Sequence, residues 1–190
     1  MFSNDFIFHV ANDAEAAAQL KRTIDEAHVD FREALARAIA RGDLDETKEV
    51  LRHQARRINE RKPDGGSTPL STAALHGRLD IAKYLIQRGA KVEATNNDGN
   101  TPLHVAAFLC RSEIVQLLLD KGGSVLTKNK RGETPIDVVS SPWSKGLADF
   151  YTGIGNSTGQ KLDLKRIERE RPQIAKLLRD HAAKSKQTDK

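Results

Sequence analysis

Thr101-Pro102-Leu103-His104-Val105-Ala106-Ala107, preceded by Gly99-Asn100, is one member of a repeating set in this 190-residue chain. Thirty-three residues earlier stands Gly66-Ser67-Thr68-Pro69-Leu70, with Ala73-Ala74 in the places of Ala106-Ala107. Thirty-three residues later stands Gly132-Glu133-Thr134-Pro135-Ile136. Downstream of the first two, Ile81-Ala82-Lys83-Tyr84-Leu85-Ile86 recurs as Ile114-Val115-Gln116-Leu117-Leu118-Leu119, and Gly89-Ala90 as Gly122-Gly123. So many matches at one offset mark an internal repeat.

Each unit reads physically. Threonine offers its hydroxyl oxygen to helix N–H groups, and proline at the first helical position loses nothing by lacking its own. The alanine pair lets neighbouring helices approach closely. Gly77 ends this short helix, and a second helix presents Ile81, Tyr84 and Leu85 on one face. Gly89 closes it in the left-handed conformation. Asn96-Asn97-Asp98-Gly99 then forms the tight tip of an extended finger. A single unit cannot bury its own apolar face, so the units must stack.

On these residues the chain resembles the ankyrin repeat family, with Thr101–Ala107 matching the family's signature heptad almost residue for residue. The likeness covers roughly residues 30–140 and resumes at 171–182. It implies an all-α solenoid of antiparallel helix pairs with β-hairpin-like fingers and an N-terminal capping helix. The whole chain is expected to form one domain. Its parts are a capping segment at 1–28, a degenerate repeat at 29–62, regular repeats at 63–95 and 96–128, a fourth at 129–182, and a polar, frayed tail at 183–190.

In the first repeat, Leu35, Ala38, Ile39, Gly42 and Leu44 align with Leu70, Ala73, Ala74, Gly77 and Leu79 at an offset of 35. Its second helix is expected over Leu44–Arg57. Asn12-Asp13-Ala14-Glu15 reads as a capping box upstream; from it either one long helix spans about 13–41 or the helix breaks near Val29-Asp30, and the ankyrin register calls for the break. The fourth repeat is interrupted. Its second helix is expected at Ile174-Ala175-Lys176-Leu177-Leu178, 60 residues after Ile114 rather than 33, which leaves about 27 inserted residues at about 141–170. Within them Trp143, Leu147, Phe150, Tyr151 and Ile154 keep helical spacing, Gly153–Gly159 reads as a flexible loop, and Leu162–Arg169 as a separate short helix.

Composition bounds the function. Charged residues make up 30%, hydrophobic residues 38%, and the formal net charge is +5. This is a folded composition, too apolar for a fully disordered chain. The longest apolar run, Val105–Cys110, is far short of the ~20 residues of a membrane helix. The start, Met1-Phe2-Ser3-Asn4-Asp5, lacks the basic and apolar segments of a secretory signal, and a cytoplasmic location is expected. One cysteine, Cys110, excludes an internal disulfide and a multi-cysteine zinc site. Residues 161–190 hold ten Lys/Arg against five Asp/Glu, leaving 21 of each sign before them. The interleaving of Asp163, Glu168, Glu170 and Asp180 with these cations favours a solvated helix face over a nucleic-acid interface.

Catalytic constellations are not found. Gly153–Lys161 fails as a phosphate loop, because Gln160 separates Gly159 from Lys161 and a helix rather than a strand comes before it. The six histidines show no metal-ligand spacing on one helix face. His104 takes the heptad's structural histidine position. Cys110, in the place of Gly77, reads as a partly buried small residue rather than a reactive thiol, at a cost of ~1 kcal/mol if it must turn left-handed. No cofactor and no metal are expected, and the chain is read as a non-enzymatic, monomeric scaffold.

Ankyrin arrays bind proteins through finger tips and the concave face of the first helices. Carried onto this chain, the resemblance implies binding by Asp64 and Ser67; by Thr95, Asn97, Asp98 and Asn100; and by Lys128, Lys130, Arg131 and Glu133. The concave positions are Leu75, His76, Phe108 and Leu109. The basic last tip suits an acidic partner surface. Two arrangements stay open: an exposed apolar groove, or a core covered by the Trp143, Phe150 and Tyr151 face of the insertion. Alternatives are a nucleotide or enzymatic site in the glycine-rich insertion, or an anionic or nucleic-acid surface bound by the basic C-terminal helix.

Overall fold

The computed structural model describes residues 18–19, 31–52, 54–62 and 65–188, and side chains as far as 185. The capping box, the break near Val29-Asp30, and the tip residue Asp64 lie outside these residues. Among the described residues from 31 onward, nine helices follow one another. They are α1 over 31–41, α2 Leu44–Arg52, α3 Pro69–His76, α4 Leu79–Gln87, α5 Pro102–Phe108, α6 Ser112–Asp120, α7 Pro135–Ser140, α8 Lys145–Thr158 and α9 Leu164–Thr188. A 3₁₀ turn, Ala55–Arg57, shortens the expected Leu44–Arg57 helix. No strand occurs among the described residues, and the fingers are built from turns.

The Thr-Pro starts work as their chemistry requires. Thr68, Thr101 and Thr134 are extended N-caps whose side chains accept the N–H of Ser71, His104 and Asp137. Helices α3, α5 and α7 stack as an inner row, and α2, α4 and α6 as an outer row. Ala73, Ala74, Ala106 and Ala107 are fully buried, and their small size permits this spacing. Gly42 and Gly77 end their inner helices left-handed, at φ 83° and 66°. In the third repeat Cys110 adopts the same turn at φ 52°, despite its side chain.

The insertion departs from expectation in two ways. First, Gly153–Gly159 is not a loop: α8 runs through Thr158, and only Gly159 turns left-handed, at φ 66°. Gly155 has a steric reason. The chain folds back so tightly that a Cβ there would lie 2.7 Å from the Gln160 carbonyl oxygen. Second, Leu162–Arg169 is not a separate helix. It joins the fourth repeat's second helix in the 25-residue α9, which continues through Thr188 where a frayed tail is expected. Pro172 sits inside α9 without ending it. Pro172 and Glu168, whose carbonyl it deprives of the usual donor, are both exposed.

Helix α9 takes the outer place beside α7 and also meets α5 and α6. Its Ile167, Ile174, Ala175 and Leu178 are buried. This apolar face completes the end of the array.

Candidate partner-binding groove

The groove floor is the C-terminal half of the inner helices. Leu75 and Phe108 are half-buried there, whereas Leu109, expected beside them, is 1% exposed and belongs to the core. Helix α8 lies over this floor. Tyr151 stacks on Phe108, with ring centroids 4.5 Å apart and planes 16° apart. Phe150 meets Phe108 edge-on at 5.8 Å, and Trp143 stacks on Tyr151 at 5.7 Å. The insertion therefore covers part of the groove and leaves part open. What remains is a cavity of about 190 Å³ lined by Leu75, Val105 and Phe108 below, Asp98 and Arg131 on the finger side, and Phe150 and Ile154 on the α8 side. Phe150 remains 56% exposed. A wider cavity of about 700 Å³ continues towards α1, where Arg37, Lys62, Ser67 and His76 face Ser157 and Thr158 at the end of α8.

A series of side chains holds the C-terminal ends of the inner helices. The Ala40 carbonyl accepts from Arg78 Nε and Nη2, at 3.0 and 2.5 Å. The equivalent Leu75 carbonyl accepts from Arg111 Nη2 at 3.3 Å. At Phe108 the donor is the Tyr151 hydroxyl, at 2.6 Å, and at Ser141 it is Arg171 Nη2, at 2.9 Å. Arg171 Nη1 also donates to Tyr151 Oη at 2.7 Å. Cations at these ends complement the negative pole of each helix.

The finger tips are joined to one another. Asn96 Oδ1 accepts the N–H of Asp98 and of Asn100, at 3.0 and 2.9 Å. Asn129, thirty-three residues on, does the same for Arg131 and Glu133 at 2.9 and 3.0 Å. The Lys130 N–H donates to the Asp98 carbonyl at 2.8 Å, and that of Asn97 to the Gly65 carbonyl at 2.9 Å. Asn97, Asp98, Lys128, Lys130 and Arg131 stay exposed; Ser67, Thr95, Asn100 and Glu133 are half-buried. Glu133 accepts from Arg131 Nε at 2.7 Å, and its carboxyl is held below the usual range by hydrogen bonds from Asn129 and Arg131. The periodic Asn96/Asn129 and Arg78/Arg111 pairs are sequence signals that the expected site did not include.

The histidines have structural surroundings. His104 Nδ1 faces the Thr101 N–H at 3.2 Å and the Thr101 hydroxyl at 2.8 Å, while Nε2 lies 3.0 Å from the Glu133 carbonyl. A neutral ring with its proton on Nε2 satisfies all three. Burial lowers the His104 pKa accordingly. His76 is lowered first by burial and then by Arg78, Arg111 and Lys62. Burial pushes the Cys110 thiol up to about 11, and its Sγ donates weakly to the Ile167 carbonyl at 3.7 Å. Among the described residues no group of three metal-ligating side chains gathers, and no helix is long and apolar enough to cross a membrane.

A family model described as ankyrin repeats, in three copies, matches residues 8–131. The chain belongs to the ankyrin repeat family. The match stops before Thr134, so the α7–α9 segment lies beyond it. Among curated proteins, human protein phosphatase 1 regulatory subunit 27 is 36% identical over 104 residues, covering 51% of this chain and 66% of the relative. The mouse protein of the same name is 35% identical over the same coverage. The chain thus spans just under two thirds of the length of these relatives. In the ankyrin repeat family, arrays serve protein–protein interaction, and the relatives are named as regulatory subunits rather than as enzymes.

Proposed function

We propose that this chain is a non-catalytic adaptor that holds a partner protein between its finger tips and α8. The observation that carries this is the open cavity over Leu75, Val105 and Phe108, walled by Asp98 and Arg131 on one side and Phe150 on the other. A cleft with an apolar floor and polar rim suits an inserted side chain flanked by hydrogen-bonding groups. Asn97, Asn100, Thr95 and Ser67 continue the rim, His76 the floor, and Lys128, Lys130 and Arg131 favour an acidic stretch on the partner. Glu133 braces Arg131. The chain acts as one monomeric array in the cytoplasm.

The names of the relatives make a protein phosphatase 1 catalytic subunit the first partner to try. Titration calorimetry with that subunit should show binding by the native chain. Phe150→Ser and Asp98→Lys change exposed groups, and with circular dichroism showing the fold retained each should weaken binding at least ~10-fold if the cleft is used. No binding at all would remove the phosphatase. Binding indifferent to both substitutions would remove the cleft.

A further inference from the structure

Four Ser/Thr-Pro steps occur in the chain: Thr68-Pro69, Thr101-Pro102, Thr134-Pro135 and Ser141-Pro142. The first three are helix caps with committed hydroxyls. Ser141 is different. It is exposed, it begins the link 141–144 between α7 and α8, and its hydroxyl makes no hydrogen bond among the described residues. Its backbone is extended, at φ −58° and ψ 140°, as the ring of a following proline demands.

Beside it lies a cavity of about 300 Å³ lined by Ser140, Ser141, Trp143, Glu168, Arg171 and Arg179. Arg171 is 3% exposed, yet its partners are neutral: the Tyr151 hydroxyl and the carbonyls of Ser141 and Val138. Arg179 Nη2 donates to Ser140 Oγ at 3.0 Å. Neither guanidinium has a carboxylate within ion-pair distance among the described residues. Glu168 supplies negative charge to the lining and leaves one cation in excess. A buried cation met only by neutral oxygens is stabilised by an added anion.

We propose that Ser141 is a phosphorylation site whose phosphate is received by Arg179 and Arg171. A serine/threonine kinase that reads a following proline supplies the co-reactant, a nucleoside triphosphate. Ser141 Oγ bonds to the γ-phosphorus, and the bond from that phosphorus to the β,γ-bridging oxygen breaks. The nucleoside diphosphate leaves, and the hydroxyl proton passes to the base of the kinase. The new dianion joins the link to two arginines, one of which holds Tyr151 against Phe108. Phosphorylation thereby fastens α8 over the groove floor, and this requires no particular partner.

The test uses the full chain, a proline-directed kinase and magnesium ATP, with mass spectrometry and thermal unfolding at low salt. Incorporation is expected at Ser141 and absent in Ser141→Ala. The phosphorylated chain should melt about 3 °C higher than the unmodified one, and high salt should erase the difference. Arg179→Gln should accept phosphate equally and lose at least half of that rise. A peptide of residues 136–148 that is phosphorylated while the folded chain is not would overturn the site. Phosphate on Ser141 with no rise, or an undiminished rise in Arg179→Gln, would overturn its reception by the arginines.

Discussion

The Tyr151 hydroxyl donates to the Phe108 carbonyl at 2.6 Å, filling from α8 the position that Arg78 and Arg111 fill at Ala40 and Leu75. The inserted helix thus substitutes for the next repeat's arginine. Arg171, donating to both Tyr151 and Ser141, carries the same arrangement to the last inner helix.

Tyr151→Phe tests this substitution. The ring stack on Phe108 survives, but a carbonyl and one guanidinium N–H lose their partner in the interior. The expected loss is about 1–3 kcal/mol in urea unfolding. Arg171→Met should cost at least as much. The double variant should lose clearly less than the sum, because the two residues share one network.

The contact between tips is isolated by comparing two glycines. Gly99 and Gly132 have nearly the same backbone, φ 79° and 78°. A Cβ at Gly132 meets nothing within 4 Å, whereas at Gly99 it would lie 2.9 Å from the Lys130 nitrogen. Gly132→Ala should therefore show only the left-handed penalty, about 1–2 kcal/mol. Gly99→Ala should exceed it by at least ~1 kcal/mol, since the Lys130 to Asp98 hydrogen bond must also move. Equal losses in thermal or urea unfolding would mean that the tips do not support each other.

The histidines predict the pH dependence. Burial lowers the folded pKa of His104, and burial with neighbouring cations lowers that of His76. Below about 6.5 the unfolded chain takes up protons that the folded one refuses. Stability should be complete above that pH and fall as the pH drops towards the lowered folded values. Protonated Nδ1 could no longer accept from Thr101. His104→Asn should flatten part of this slope and cost about 1–2 kcal/mol at pH 7, through the lost bond to the Glu133 carbonyl. A melting temperature constant from pH 7.5 to 5 would contradict this account.

Cys110 should behave as a reporter of unfolding. It is 1% exposed, and its thiol pKa is raised to about 11. Thiolate and access are both scarce, so a disulfide reagent at pH 8 should react at the rate at which the chain opens. Full reaction in denaturant and slow reaction in buffer are expected. Fast labelling of the folded chain would place the thiol outside the core.

Much of this architecture was legible in local chemistry. The Thr-Pro caps at 68, 101 and 134, the glycine turns at 42 and 77, and the left-handed Cys110 each depend on residues within a few positions. So does the alanine pair that sets helix spacing. A period of 33 then extends each local solution along the chain, and stacking follows because no unit can bury its own face. The insertion was legible only in part. Helical spacing from Trp143 to Ile154 marked α8, but Gly153–Gly159 resembled a loop, because the reason for Gly155 is the returning Gln160 and not its sequence neighbours.

Local pattern therefore determined the repeat, its caps and the buried side of each helix. Tertiary structure alone decided what covers the groove. Phe108 carries the same residue type whether exposed or stacked under Tyr151, and Leu109 looks as suited to a floor as Leu75. The difference lies in where α8 returns, forty-three residues after Phe108. That return is set by the sum of Tyr151, Arg171 and the apolar face of α9, contacts that join segments far apart in the chain and that no local spacing contains.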